Sequence, residues 1–225
     1  MSHDDYAVIE AANWSIIKLM DSPKIARWTL DNPKQGDTAS RGMLRAAHCL
    51  ALEPHNFDRD FVVYGGRRDK RTKAYQAFLA SSGGRTILSE SEHSSASAIA
   101  DAAREHPVAG PILSRGESEI TLVWHDSETG TKCKGRADHL DIDHDAKVVW
   151  VDDLKTVKSA DNGELGRMAA RMGWLGQFAH YVDGVRSRFP GYEVRARIIA
   201  VEGSAPHDVG VFLLDDAALN AGETK

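Results

Sequence analysis

The sequence predicts an α/β fold in which a central β-sheet is covered by helices. Two observations predict it. From Glu119 to Asp215 the chain runs through three strand-like segments, one long helical segment and two further strands. The strands, VVWV at 148–151 among them, are apolar on both faces, which demands cover on each side of the sheet.

The elements follow in order. Residues 1–60 read as a helical N-terminal part: AANWSIIKLMDSPKIARWTL has apolar residues at helical spacing, and ASRGMLRAAHCLAL forms a second segment ending before Pro54. FVVYGG reads as a short strand stopped by glycines, DKRTKAYQAFLASSGG as an amphipathic helix, and about 93–105 as another. EITLVWH, TKCKGRADHLDID and KVVWVDDLKTV then form a three-strand meander, separated by the turns DSETG and DHDA. GELGRMAARMGWLGQFAHYVDGVRSRF reads as one long helix, followed by strands EVRARIIAVE and DVGVFLLD and a short tail.

With 225 residues and 42% hydrophobic content the chain supports one sizeable core, so a single domain over 1–225 is expected, with 117–214 as its catalytic core. A formal net charge of −5 excludes a non-specific nucleic-acid coat; any polyanion must meet a local basic patch. Cys49 and Cys133 fit no zinc spacing and no disulfide framework, and read as small buried hydrophobes in a reducing compartment. MSHDDYAVIE lacks the features of a signal peptide, and no apolar run is long enough for a membrane, so a soluble, cytoplasmic protein without membrane contact is expected. The glycine pairs 65–66 and 83–84 lack Walker spacing, so ATP is not expected.

The apolar strand at 148–151 ends in Asp152, Asp153 and, two places on, Lys155. A turn centred between Asp145 and Ala146 places Asp138 opposite Asp153 on the neighbouring strand. Directly opposed carboxylates roughly 4.5–5.5 Å apart at Cβ repel, so something positive is required between them. Residues two apart on a strand share a face, so Lys155 accompanies Asp153, while Asp152 and Leu154 point away. Two solutions stay open on spacing alone. One is a buried Asp153–Lys155 ion pair with Asp138 capping the turn. The other is a half-shell for Mg²⁺, with Mn²⁺ as substitute, leaving Lys155 to orient or activate water.

Other residues are candidates by position. Glu117 and Glu119 precede the first core strand, and Glu119, nearer the strand, is the better candidate to complete a metal shell or hold a water. Gln177 and Tyr181 lie one helical turn apart and share a face with Trp174, opposite a stripe of Leu165, Met168, Met172, Leu175, Ala179 and Val182. RRDKRTK at 67–73 is the densest basic run; Arg67, Arg68, Lys70 and Arg71 could track DNA phosphates or line a solvated helix face. Arg41 and Arg45, two turns and one turn before His48, could receive a terminal 5′-phosphate.

KGRADHLD followed by VVWVDDLKT resembles the PD-(D/E)xK nucleases, and more narrowly the RecE-type exonuclease VIII family of phage and prophage recombination enzymes. RGMLRAAHCLALEPHNFDRDFVV, GWLGQFAHYVDGV and IIAVEGSAPHDVGVFLL extend the likeness over roughly 10–220. The resemblance implies a restriction-endonuclease-like core, a central mixed β-sheet flanked by helices. It implies metal ligation by His48, Asp138 and Asp153, catalysis by Lys155, and a brace from Gln177 and Tyr181. It also implies Mg²⁺-dependent 5′→3′ digestion of linear duplex DNA ends, a ring-shaped homo-oligomer (trimer or tetramer), and a single-strand annealing protein as partner in a bacterial host. A restriction-type endonuclease and a non-catalytic DNA-binding module of the same fold are the alternatives. Asp152 departs from the pattern, which has an apolar residue before the D-x-K, and Ala137 stands where proline is usual.

Overall fold

A computed structural model describes residues 3–32 and 38–223. Its centre is a five-stranded mixed sheet built from β3 (Glu117–His125), β4 (Lys132–Asp143), β5 (Val148–Val157), β6 (Glu193–Glu202) and β7 (Val209–Leu214), in that spatial order. The meander β3–β4–β5 and the pair β6–β7 are antiparallel, and β5–β6 is parallel. The α/β class, the mixed sheet and the β3–β4–β5 meander are as the sequence predicts. A second sheet was not foreseen: β1 (Phe61–Tyr64) pairs in parallel with β2 (Thr86–Ser89), four residues too short to show a period.

Helices cover both faces. The helix Trp174–Arg188 contributes Phe178, Tyr181, Val182 and Val185 to one core cluster with Val149, Val151, Ile198 and Ala200 of the sheet. The helices Ala39–Leu52 and Glu90–Glu105 pack on each other and contribute Ala46, Ala47, Ile99 and Ala103 to a second cluster with Leu154, Ile199 and Val201. These two sets of β5 and β6 residues alternate in sequence, so they lie on opposite faces. Their separation is the physical meaning of the doubly apolar strands.

Local chemistry sets the ends. Ser89 and Glu92 form a reciprocal capping box, which starts the helix at Glu90, ahead of the expected 93. The helix expected from DKRTKAYQAFLASSGG begins only at Lys73, where Thr72 caps it, so Arg67, Arg68, Lys70 and Arg71 precede it on a loop. The single long helix expected after β5 is two, Asn162–Met172 and Trp174–Arg188, because Gly173 takes the left-handed conformation at φ +72° and ends the first. The apolar stripe is broken accordingly: Met172 is exposed, and Tyr181 lies in the core rather than on an opposing face. The expected tail is a helix, Asp216–Glu223, against Trp174–Arg188. Cys133 is buried, whereas Cys49 is only half-buried; neither forms a disulfide. No helix among the described residues is long and apolar enough to cross a membrane.

The turn at Asp143–Lys147 sets the β4–β5 register, with Asp143 accepting the N–H of Ala146 at 2.8 Å. Paired residues run from Asp143↔Val148 to His139↔Asp152, the register predicted from the turn. Pairing stops there, one pair short of Asp138 and Asp153. On its other side β4 pairs with β3 through Ser118↔His139 and Ile120↔Ala137, skipping Glu119 and Asp138, and Glu119 adopts φ +55°. Asp138 therefore sits at a fork where the ladder is interrupted on both sides.

Candidate active site

The fork is held open by side chains. Past His139↔Asp152, the backbone N–H of Leu154 donates to Asp138 Oδ2 at 3.0 Å, and its carbonyl accepts from His48 Nε2 at 2.5 Å. Buried backbone groups need partners, and here an acid and a histidine replace the strand that has moved away. A carbonyl only accepts, so Nε2 carries a proton and Nδ1 is the ring nitrogen turned toward Asp138. Nδ1 lies 3.8 Å from Asp138 Oδ2. A histidine whose second nitrogen donates to a main-chain carbonyl is oriented as metal-ligating histidines are.

Among the described residues, His48, Glu119 and Asp138 form the one group of three His, Cys, Asp or Glu side chains whose donor atoms all lie within 4.8 Å of one another. Burial pushes the Glu119 carboxyl up to about 7, reinforced by the charge of Asp138, against the pull of Arg136 and His48. Arg136 Nε pairs with Glu119 Oε2 at 2.9 Å.

Asp153 lies deeper, 1% exposed. Burial, then the charge of Asp138, pushes its carboxyl up to about 6, although Lys155 and His48 oppose this. Its Oδ2 meets Lys155 Nζ at 2.5 Å, charge against charge but outside hydrogen-bond geometry, and its Oδ1 has no hydrogen-bond partner. Burial disfavours the Lys155 ammonium, but Asp153 and Asp138 outweigh that and raise its pKa. Lys155 Nζ also donates to Gln177 Oε1 at 3.0 Å, and Gln177 Nε2 donates to Tyr181 Oη at 3.0 Å. Tyr181, buried, has its phenol raised by desolvation first and then by Asp153 and Asp138.

The residues fit a divalent cation. A buried carboxylate with an ion pair to Lys155 but no hydrogen bond is costly, and here it stands beside further acids and an imidazole nitrogen. Oxygen donors with one nitrogen suit a hard or borderline ion. Asp153 itself is not within the closest trio; it adjoins them and is engaged by Lys155.

His48, Glu119 and Arg136 open onto a cavity of about 860 Å³, also lined by Arg41, Arg45, Arg59 and Arg85. The structure thus brings together His48, Glu119, Arg41 and Arg45 from the sequence-derived candidates. It does not bring Arg67, Arg68, Lys70 or Arg71 to the cavity. Arg68 is committed to Glu92 at 2.6 Å and to the Ile87 carbonyl, and Arg71 pairs with Asp69 at 2.8 Å. Arg136 was missed, although its place two before Asp138 on one strand signalled it. Arg59 and Arg85 carried no signal, because they meet through the unforeseen β1–β2 pairing; Arg85 Nε donates to the Ser82 carbonyl and its Nη1 to that of Asp58.

Asp152 is accounted for. It is fully buried, accepts Arg197 through both oxygens at 2.6 and 3.0 Å, and accepts His139 Nδ1 at 2.9 Å. Both of its oxygens accept hydrogen bonds, whereas Asp153 has only the Lys155 ion pair.

Comparison with known proteins agrees with this architecture. A crystal structure of a candidate exonuclease from Eubacterium rectale superposes with a TM-score of 0.65 at 12% identity, covering 100% of this chain and 81% of that one. The structure of SSO0001 matches 48% of either chain at 18% identity, with a TM-score of 0.30. No curated protein sequence matches the chain. The model of the family described as a PDDEXK-like domain of unknown function (DUF3799) matches residues 30–225, and the protein therefore belongs to that PDDEXK-like family.

Proposed function

We propose that the protein is a metal-dependent nuclease that digests linear double-stranded DNA from its ends, in the manner of the RecE-type exonucleases its motifs resemble. The observation that carries this reading is the buried Asp153 carboxylate, without a hydrogen bond and paired only with Lys155, beside the His48, Glu119 and Asp138 donors. His48, Glu119 and Asp138 would hold the ion, with Asp153 beside them. A bound Mg²⁺, or Mn²⁺ in its place, would act as a Lewis acid on the scissile phosphate and lower the pKa of water.

The chain's own groups supply the rest. Lys155 stays protonated at neutral pH and stabilises charge gathering on the phosphoryl oxygens, while Gln177 fixes its ammonium in place. Arg41, Arg45 and Arg85 form a basic wall on the same cavity, suited to the phosphates of a strand entering it, while Arg59 beside them is paired with Asp60 at 2.8 Å. Arg136 keeps Glu119 oriented and offsets part of its charge.

The finer reading is 5′→3′ removal of one strand, leaving 3′ overhangs for a single-strand annealing protein in the cytoplasm of a bacterial host. A ring-shaped trimer or tetramer of the chain would enclose the duplex, because a chain with net charge −5 does not retain DNA by general attraction. The test is digestion of linear and covalently closed plasmid, each with Mg²⁺ and with chelator, using duplex labelled separately at each 5′ end. Loss of linear DNA alone, with early release of the 5′ label, is expected. Cleavage of the closed circle would replace this reading with an endonuclease, and no hydrolysis under any metal would remove it.

A further inference from the structure

The carboxylates of the fork stand back to back with a second charged row. His139 of β4, Asp152 of β5 and Arg197 of β6 are consecutive cross-strand partners in the sheet register. All three are buried, at 1%, 0% and 8% exposure. Both nitrogens of the His139 ring donate, Nδ1 to Asp152 Oδ2 at 2.9 Å and Nε2 to the carbonyl of Arg115. Arg197 grips Asp152 with two parallel bonds and lies over the Trp150 ring, 4.1 Å from its centroid. Asp141, which Arg115 holds at 3.2 Å, lies 4.0 Å from Arg197.

Two members of this row neighbour the site along the chain, and Arg197 joins them from β6. His139 follows Asp138, and Asp152 precedes Asp153. His139↔Asp152 is also the last backbone pair of β4 and β5 before the strands part. Beyond it no ladder fixes the distance between the acids; the Asp138–Leu154 bond is what the structure shows there. A buried ion network adds little net stability over apolar packing, so its presence needs another reason. Fixing register is the best-attested one.

We infer that His139, Asp152 and Arg197 are positioning residues: a buried clamp across β4, β5 and β6 that sets the spacing of Asp138 and Asp153, and through it the affinity of the site for a divalent cation. The inference rests on the proposed metal-dependent reading of the same site. The clamp touches neither substrate nor ion. It acts by holding the Cα positions from which the acids project, where a shift of about 1 Å is enough to cost roughly a hundredfold in rate.

The experiment uses the full chain and Mn²⁺ as probe, counting free ion by electron paramagnetic resonance, with circular dichroism and thermal melting to establish folding. Arg197→Lys keeps the charge but loses the two-pronged bond; His139→Gln loosens β4 alone. Both, folded, should bind Mn²⁺ about 10- to 100-fold more weakly than the wild type. Their kcat on linear duplex should fall in step while KM for DNA stays near the wild-type value. Folded variants with wild-type Mn²⁺ affinity would overturn the inference. If Arg197→Lys does not fold, His139→Gln decides on the same terms; if neither folds, the row is a folding element only and the inference is lost. Failure of the wild type itself to bind Mn²⁺ would strike the proposed function, a separate outcome.

Discussion

Asp138 accepts the backbone N–H of Leu154 at 3.0 Å, a bond that replaces the strand ladder β4 and β5 would otherwise continue. The consequence is a gap in the middle of the sheet. His48 reaches the Leu154 carbonyl there from a helix of one core cluster, and Gln177 reaches Lys155 from a helix of the other. The fork thus gathers groups from both layers around acids that burial disfavours.

The first prediction concerns those acids. Asp153→Asn removes charge without volume and should leave the fold intact, yet lower hydrolysis at least a hundredfold and weaken Mn²⁺ binding. Turnover within about threefold of the wild type would remove Asp153 from the chemistry. Asp152→Asn should lower the melting temperature, since it breaks a pair of bonds to a buried arginine, and, where the variant folds, weaken Mn²⁺ binding as the other clamp variants do.

Lys155→Ala should cut turnover by about 10²- to 10⁴-fold with little change in KM for DNA. Gln177→Ala removes the amide that fixes the ammonium and should cost about tenfold, leaving Mn²⁺ affinity unchanged. Wild-type turnover by Lys155→Ala would refute its catalytic assignment.

The pH dependence of stability follows from Glu119 and Asp153, both raised by burial, to about 7 and about 6. A carboxyl with a raised folded-state pKa binds its proton more tightly when folded. Below its unfolded value near 4 it costs nothing; the metal-free protein loses stability as pH climbs through the window from about 4 to 7. A divalent cation competes with those protons, so its stabilising effect should grow with pH. Melting temperatures with chelator and with Mn²⁺, measured at about pH 5 and pH 8, should diverge at the higher pH. An equal shift at both would contradict the placement of the charges.

The basic wall is tested by salt. Arg85→Ala and Arg41→Ala should each weaken DNA binding and flatten the salt dependence by about one ion, whatever the sequence bound. Arg71→Ala, paired with Asp69 and away from the cavity, should leave both within error. A larger effect at Arg71 than at Arg85 would move the DNA path to the 67–71 loop.

Much of this fold was legible because short-range chemistry decides it. The DHDA turn fixes the hairpin register, and the alternation of 151, 153, 155 and 157 against 152 and 154 separates the two faces of β5. What was hidden depends on partners remote in sequence. Periodicity continues across Gly173, so the break there shows only in its backbone conformation. The end of the ladder at His139↔Asp152 could not be read from strand propensity, since a side chain takes the bond. Arg136 was within reach of a period-two reading. Arg59 and Arg85 were not, because a four-residue strand positions them. Asp152 appeared as a departure from a motif and proves to be half of a buried pair with Arg197, forty-five positions away.

The most direct test is a crystal of the protein soaked in Mn²⁺ and recorded at the manganese absorption edge. An anomalous peak within ligand distance of His48 Nδ1, Glu119 and Asp138 is the expected result. A well-ordered site with no peak there, at an ion concentration that saturates activity, would contradict the account.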